Sequence, residues 1–216
     1  MTKNEKNTEI RSFGELAAPR LVRSADGTET RTIEGYAVVF NVRSQLLPDY
    51  NVYRMVQEII DPAAIDDNLM RSCDIKALLE HDRSRMLARS YNGAGTLTLT
   101  KDERGIKYTF EAPDTADGNY ALEMVKRGDL FGSSFAYTTD EAVDGSVTYT
   151  KEGDNLIRTV HKIDKLYDVS IVSDPAYLDT SVTARSLDKA LNIPEPKQEN
   201  DEWKVDAEAL NRAMNE

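Results

Sequence analysis

The sequence predicts an α+β protein that is mainly β: an antiparallel or mixed β-barrel, closed or partly open, with a few helices around it. Three observations lead there. Short runs of β-branched and aromatic residues recur along most of the chain, divided by Gly, Asn, Asp and Pro. Helical spacing appears in only about three places. No segment repeats, and no apolar run approaches the roughly 20 residues that a membrane span needs.

The 216 residues suit one domain with tails. We divide them into an N-terminal arm (1–18), partly ordered and read as loose chain or as an edge element, one globular domain (19–192), and an acidic linker with an amphipathic C-terminal segment (193–216). A formal net charge of -11 gives no attraction to phosphate backbones or anionic lipid, so neither nucleic acid nor a membrane surface is an expected partner. The single cysteine, Cys73, rules out an intrachain disulfide and fits a reducing compartment. Its expected role is that of a buried, inert thiol. The first seven residues, Met1 to Asn7, are polar and lack a signal-peptide core. A soluble, intracellular protein is the expectation.

The strands follow in order. Leu21–Ser24 and Thr30–Val42 read as a hairpin around Ala25-Asp26-Gly27-Thr28, and Gly35 within it marks a bulge or a close backbone approach. Asn41–Tyr50 reads as a loop, and Tyr53–Ile60 as a strand. Asp61-Pro62 opens one short helix that runs to about Met70. Ile75–Leu79 is a brief apolar strand that delivers His81 and Asp82. Gly95–Thr100 and Gly105–Glu111 alternate as a second hairpin. A helix over Asn119–Arg127 ends at Gly128. Leu130–Thr139, Ser146–Lys151, Leu156–Ile163 and Leu166–Val172 are four more strands, and Thr183–Asn192 is a helix. Beyond Ile193 a Pro- and Glu-rich linker leads to Trp203, Ala207, Leu210 and Met214, one narrow apolar stripe on an acidic helix.

Chemistry concentrates around Gly132-Ser133-Ser134-Phe135-Ala136-Tyr137. If the aromatics fill the core, strand alternation turns Ser133 inward with them and Ser134 to the opposite face, where a substrate reaches it. The plain alternative is two small residues packed before an aromatic strand. His81, at the mouth of an apolar strand, has the near-neutral titration of a general base; otherwise it is a surface histidine in a polar loop. Asp168 sits inside a buried-looking strand and needs a partner, an imidazole or a structural arginine. His161 reads as an ordinary strand residue, with orienting His81 as its alternative role. Two histidines without ligand spacing make no zinc site, and no phosphate-cradling glycine loop is present, so neither metal nor cofactor is expected.

Four stretches, in order, resemble one family. Ile33-Glu34-Gly35-Tyr36-Ala37-Val38-Val39-Phe40 is similar to its opening GYA-x-x-F strand. Ala77-Leu78-Leu79-Glu80-His81-Asp82 is similar to its apolar run into a His-Asp pair. Gly128–Tyr137 resembles its serine segment, and Leu166–Tyr177 its strand ending in V-x-x-PAY. The family is that of the HK97-type prohead (capsid maturation) proteases of tailed bacteriophages, related in fold to the herpesvirus assemblins. The resemblance implies an assemblin-like fold and a serine endopeptidase of the assembling prohead in the host bacterial cytoplasm. Capsid and scaffold proteins, and the enzyme's own C-terminal segment, would be its substrates. It implies Ser134 as nucleophile, His81 as base and Asp168 as the group that orients the histidine. The family serine directly precedes the Phe, which selects Ser134 over Ser133. The analogy with assemblins also admits a homodimer. The family often carries Glu where Asp168 stands, Gly and Phe at Ala136 and Tyr137, and Gly at Ala88, in the loop expected after the histidine. A non-enzymatic, β-rich capsid-assembly or scaffold module is the competing reading.

Overall fold

The computed structural model describes residues 8–14, 17–140 and 143–174. The helix expected over Thr183–Asn192, the Trp203 stripe and the motif at Pro175–Tyr177 lie outside the described residues.

In chain order the elements are β1 (Glu9–Phe13), β2 (Arg20–Arg23), β3 (Glu29–Val39), β4 (Leu46–Asp49), β5 (Arg54–Ile60), α1 (Asp67–Ser72), β6 (Asp74–Leu79) and β7 (Asp82–Tyr91). There follow β8 (Ala94–Gly95), β9 (Leu97–Lys101), β10 (Gly105–Glu111), α2 (Ala116–Arg127), β11 (Gly132–Thr138), β12 (Val147–Glu152), β13 (Asn155–Val160) and β14 (Lys165–Val172). The protein is mainly β, as expected, but its sheets do not close into a barrel. A six-stranded sheet runs β1-β11-β14-β6-β7-β8, and two four-stranded sheets run β2-β3-β10-β9 and β12-β13-β5-β4. Closure requires the outer strands of a sheet to pair. In the six-stranded sheet the outer strands are β1 and β8, and β8 has only two residues, both paired with β7.

Four local differences from expectation have physical causes. Residues 41–50 contain the strand β4, whose Pro48 is tolerated because β4 is a sheet edge. The single helix expected after Asp61 is two pieces. Asp61 caps a 3-10 turn at Pro62–Ala64, and Asp66, with its own extended backbone, caps α1 afresh. The bulge expected near Gly35 falls at Ala37, which β10 passes over without a partner. Gly35 supplies the close approach instead, since a Cβ there would stand 2.5 Å from the Tyr108 hydroxyl. Finally, the polar stretch after His81 is the strand β7, not a loop.

Packing follows the alternation. β3 lies against β11 and β1, and Phe13, Phe135 and Tyr137 stack in sequence with ring centroids 6.2 and 4.8 Å apart. The helix α2 is capped by Thr115 and closed by Gly128 at φ 79°, and it rests on β2 and β7.

A buried charge network ties β1 to the third sheet. Arg158 (1% exposed) donates to both carboxylate oxygens of Glu9, at 2.9 and 3.0 Å, and to Glu58 (0% exposed). Arg11 donates to Glu58 at 2.6 and 2.8 Å, and the Tyr137 hydroxyl donates to the same carboxylate at 3.0 Å. Burial alone would push the Glu58 carboxyl up, but Arg11 and Arg158 pull it below its ordinary 4.5. A depressed carboxyl contributes stability above its unfolded value and loses it as pH falls through the folded value. The thermal midpoint is therefore expected to hold near neutrality and to decline once pH drops below 4.5, measured by calorimetry across a pH series. Replacing Arg158 with Ala takes a cation from the buried Glu58 and Asp49 and the part-buried Glu9 and should cost about 3–5 kcal/mol. A urea midpoint unchanged from the parent would contradict that expectation.

Candidate active site

The six-stranded sheet brings three distant residues to one face. β6 and β14 run parallel at its centre, with Asp168 opposite Lys76 and Ile171 opposite Leu79. β11 lies antiparallel on the other side of β14, with Ser134 opposite Ser170. Opposed residues share a face and alternate residues return to it, so Ser134, Ser170 and Asp168 look the same way.

His81 reaches that face from a hairpin turn. Leu79 pairs with Asp82, which leaves Glu80 and His81 as the two turn residues, at φ 51° and 57°. Positive φ at both positions is what a tight hairpin turn needs, normally from Asn or Gly. Non-glycine residues held there store strain and stay only where their surroundings fix them. Here the Glu80 N–H donates to the Ile171 carbonyl at 3.0 Å, and the Ser173 N–H donates to the Glu80 carboxylate at 2.9 Å. Both contacts tie the turn to the end of β14. Beyond the turn, Leu78 pairs with Met86, so Arg83-Ser84-Arg85 bulge out of β7. Ala88 lies within β7 opposite Ala77, in a strand and not in the loop expected there.

The three side chains form one line of hydrogen bonds. His81 Nε2 is 2.5 Å from Ser134 Oγ, and His81 Nδ1 is 2.6 Å from Asp168 Oδ1. Asp168, nearly buried, thus meets an imidazole and not an arginine. Ser170, for which the sequence reading had no role, donates to Asp168 Oδ1 at 2.8 Å and lies 3.2 Å from His81 Nδ1. Its place two residues after Asp168 in a strand was the signal that it shares the face. The two alternates stand apart. Ser133 turns into the core and donates to the Ala17 carbonyl at 2.7 Å, with the Tyr108 hydroxyl 2.8 Å away. His161 lies between Thr148 Oγ1 at 2.9 Å and Asp61 Oδ2 at 3.0 Å.

One expectation is corrected. Ser134 faces away from the aromatic core, yet it is 0% exposed, because β1 pairs along β11 and sets Ser12 opposite it. The Ser12 hydroxyl donates to Ser134 Oγ at 2.8 Å, and the Arg11 carbonyl lies 2.9 Å from the same oxygen. A cleft of about 240 Å³ lined by Lys76, Leu78, Arg83, Lys165 and Tyr167 opens on this face. It reaches Asp168 but not Ser134 or His81.

Among the described residues no three His, Cys, Asp or Glu side chains gather as a metal site, and no helix is long and apolar enough to cross a membrane. A serine hydroxyl on an imidazole that rests on a carboxylate is the arrangement nucleophilic acyl transfer requires.

Comparison with curated proteins finds no match. The fold is similar to that of the bacteriophage T4 capsid assembly protease, gp21, at 12% identity and a TM-score of 0.49, over 80% of this chain and 100% of that one. The caudovirus prohead serine protease family matches residues 20–193. Four-fifths of the chain, including every residue of the hydrogen-bonded line, lies within that span, and the chain belongs to the caudovirus prohead serine protease family.

Proposed function

We propose that the protein is a serine endopeptidase that cleaves capsid and scaffold proteins inside an assembling prohead, with Ser134 as nucleophile. The observation that carries this reading is the unbroken line from Ser134 through His81 to Asp168 in a chain of this family. His81 Nε2 takes the Ser134 proton as Oγ attacks the scissile carbonyl, then returns it to the leaving amine. Asp168 holds the Nδ1–H tautomer and stabilises the imidazolium that forms. Water then attacks the acyl-enzyme by the same proton path in reverse. Neither metal nor cofactor enters these steps. The enzyme works within proheads in the host cytoplasm, and its C-terminal segment, from about residue 186, is its own substrate and is dispensable for the chemistry.

Co-assembly with the phage's own capsid protein tests the reading. The capsid protein and the protease's C-terminus are expected to be shortened, by intact mass, in the parent assembly, and both to stay full length with Ser134→Ala. Undiminished shortening with that variant would sink the assignment.

A further inference from the structure

The covering of Ser134 is specific in register and chemistry. We propose that the edge of β11 is the peptide-binding edge, that it receives an extended strand antiparallel, and that β1 is its resident occupant, which must lift before substrate enters. The proposal rests on the reading of Ser134 as nucleophile.

β1 blocks the serine in two ways. With β1 in place beside His81, Ser134 is wholly out of solvent. β1 also competes for the one proton that the reaction moves: Ser134 has a single hydroxyl hydrogen, and His81 Nε2 and the Arg11 carbonyl both lie within reach of it. A proton given to Arg11 is not given to the base. The near atom of the Arg11 peptide is its oxygen, held as an acceptor, so the contact is an inhibitory one.

The strand is also placed to leave. Among the described residues β1 is the sheet edge and pairs with β11 alone, so lifting it frees a ladder that an incoming extended peptide refills bond for bond. Lifting β1 breaks the Arg11–Glu58 and Arg158–Glu9 hydrogen bonds, but each side keeps a partner of opposite sign. Glu9 and Arg11 depart as a pair of opposite charges, and Arg158 remains bound to Glu58. Glu58 keeps Arg158 but loses the Arg11 guanidinium, a place that an incoming cation refills. Phe13, stacked on Phe135, anchors the far end, so the lift begins at Glu9.

The vacated places describe the substrate. Arg11 sends its guanidinium to Glu58, with the Tyr137 ring 5.8 Å away, so the matching substrate residue is basic. The residue that follows takes Ser12's place against Ser134 and must be small.

Phosphonylation of Ser134 by a fluorophosphonate tests the proposal in the full chain. The Glu9→Ala/Arg11→Ala variant is expected to react about tenfold or more faster than the parent, because the competent fraction rises. A second variant, Ile10→Cys/Ala136→Cys, cross-links register partners. Its oxidised form is expected to react at about one-tenth or less of the rate of its own reduced form, a comparison within one folded protein. Equal, measurable rates in the parent, the double variant and the oxidised form would overturn β1 as the occupant and leave the serine hydrolase reading standing. No reaction in any form would overturn the hydrolase reading, and this proposal with it.

Discussion

Replacing Ser134 with alanine is expected to lower cleavage of capsid protein on the order of 10⁴-fold or more, because loss of the proposed nucleophile removes acyl transfer and leaves only binding and residual polarisation. The neighbouring serine supplies the contrast. Ser133 is equally buried, but its hydroxyl serves Tyr108 and the Ala17 carbonyl. Ser133→Ala is expected to act on stability, at about 1–3 kcal/mol for polar groups left unmatched in the core. Two adjacent serines thus separate on two measurements, rate for one and denaturant midpoint for the other. A rate collapse for Ser133→Ala with full activity in Ser134→Ala would reverse the assignment.

The second large effect is expected at Asp168. An asparagine there keeps the shape but presents either an amide N–H or a weaker acceptor to His81 Nδ1. With the N–H facing the ring, the proton moves to Nε2, where it meets Ser134 as a donor and cannot accept. A change of this kind costs about 10⁴-fold in turnover. Ser170 makes the effect specific, since its hydroxyl contacts the same carboxylate oxygen as the imidazole. The expected result for Asp168→Asn is a fall in kcat with little change in KM and a nearly unaltered thermal midpoint. A fall in KM-linked binding alone would assign Asp168 to substrate contact instead.

The sequence made the strands of the site legible because each is short and strongly patterned. Phe135 and Tyr137 alternate with Ser134, and the structure buries the aromatics on the core side. Leu166–Val172 carries one carboxylate in an apolar run. The turn at Glu80-His81 was not legible, because neither residue is a usual source of positive φ and the charged residues that follow look like a loop. β7 was missed for the same reason: its buried residues, Leu87, Ala88 and Ser90, come after four charged or polar positions. The cover over Ser134 was hidden differently. The arm could be read as an edge element, but its partner, β11, lies more than a hundred positions away, and no local pattern records that pairing. Barrel closure failed on a similar count, since the number of strands says nothing about whether the outer two meet.

The two-residue turn between β6 and β7 leaves the chain no freedom of length at that point. Loops usually absorb inserted residues cheaply, but here one added residue has only two outcomes. It lengthens the turn and swings the imidazole off Asp168, or it slips β7 by one position and exchanges its faces. The second outcome would carry Arg89, now paired with Asp74, toward the place of a buried neighbour. Directed evolution of this enzyme should therefore find substitutions at Glu80 but no viable insertions between Leu79 and Asp82. The turn works as a ruler, measuring the distance from sheet to imidazole.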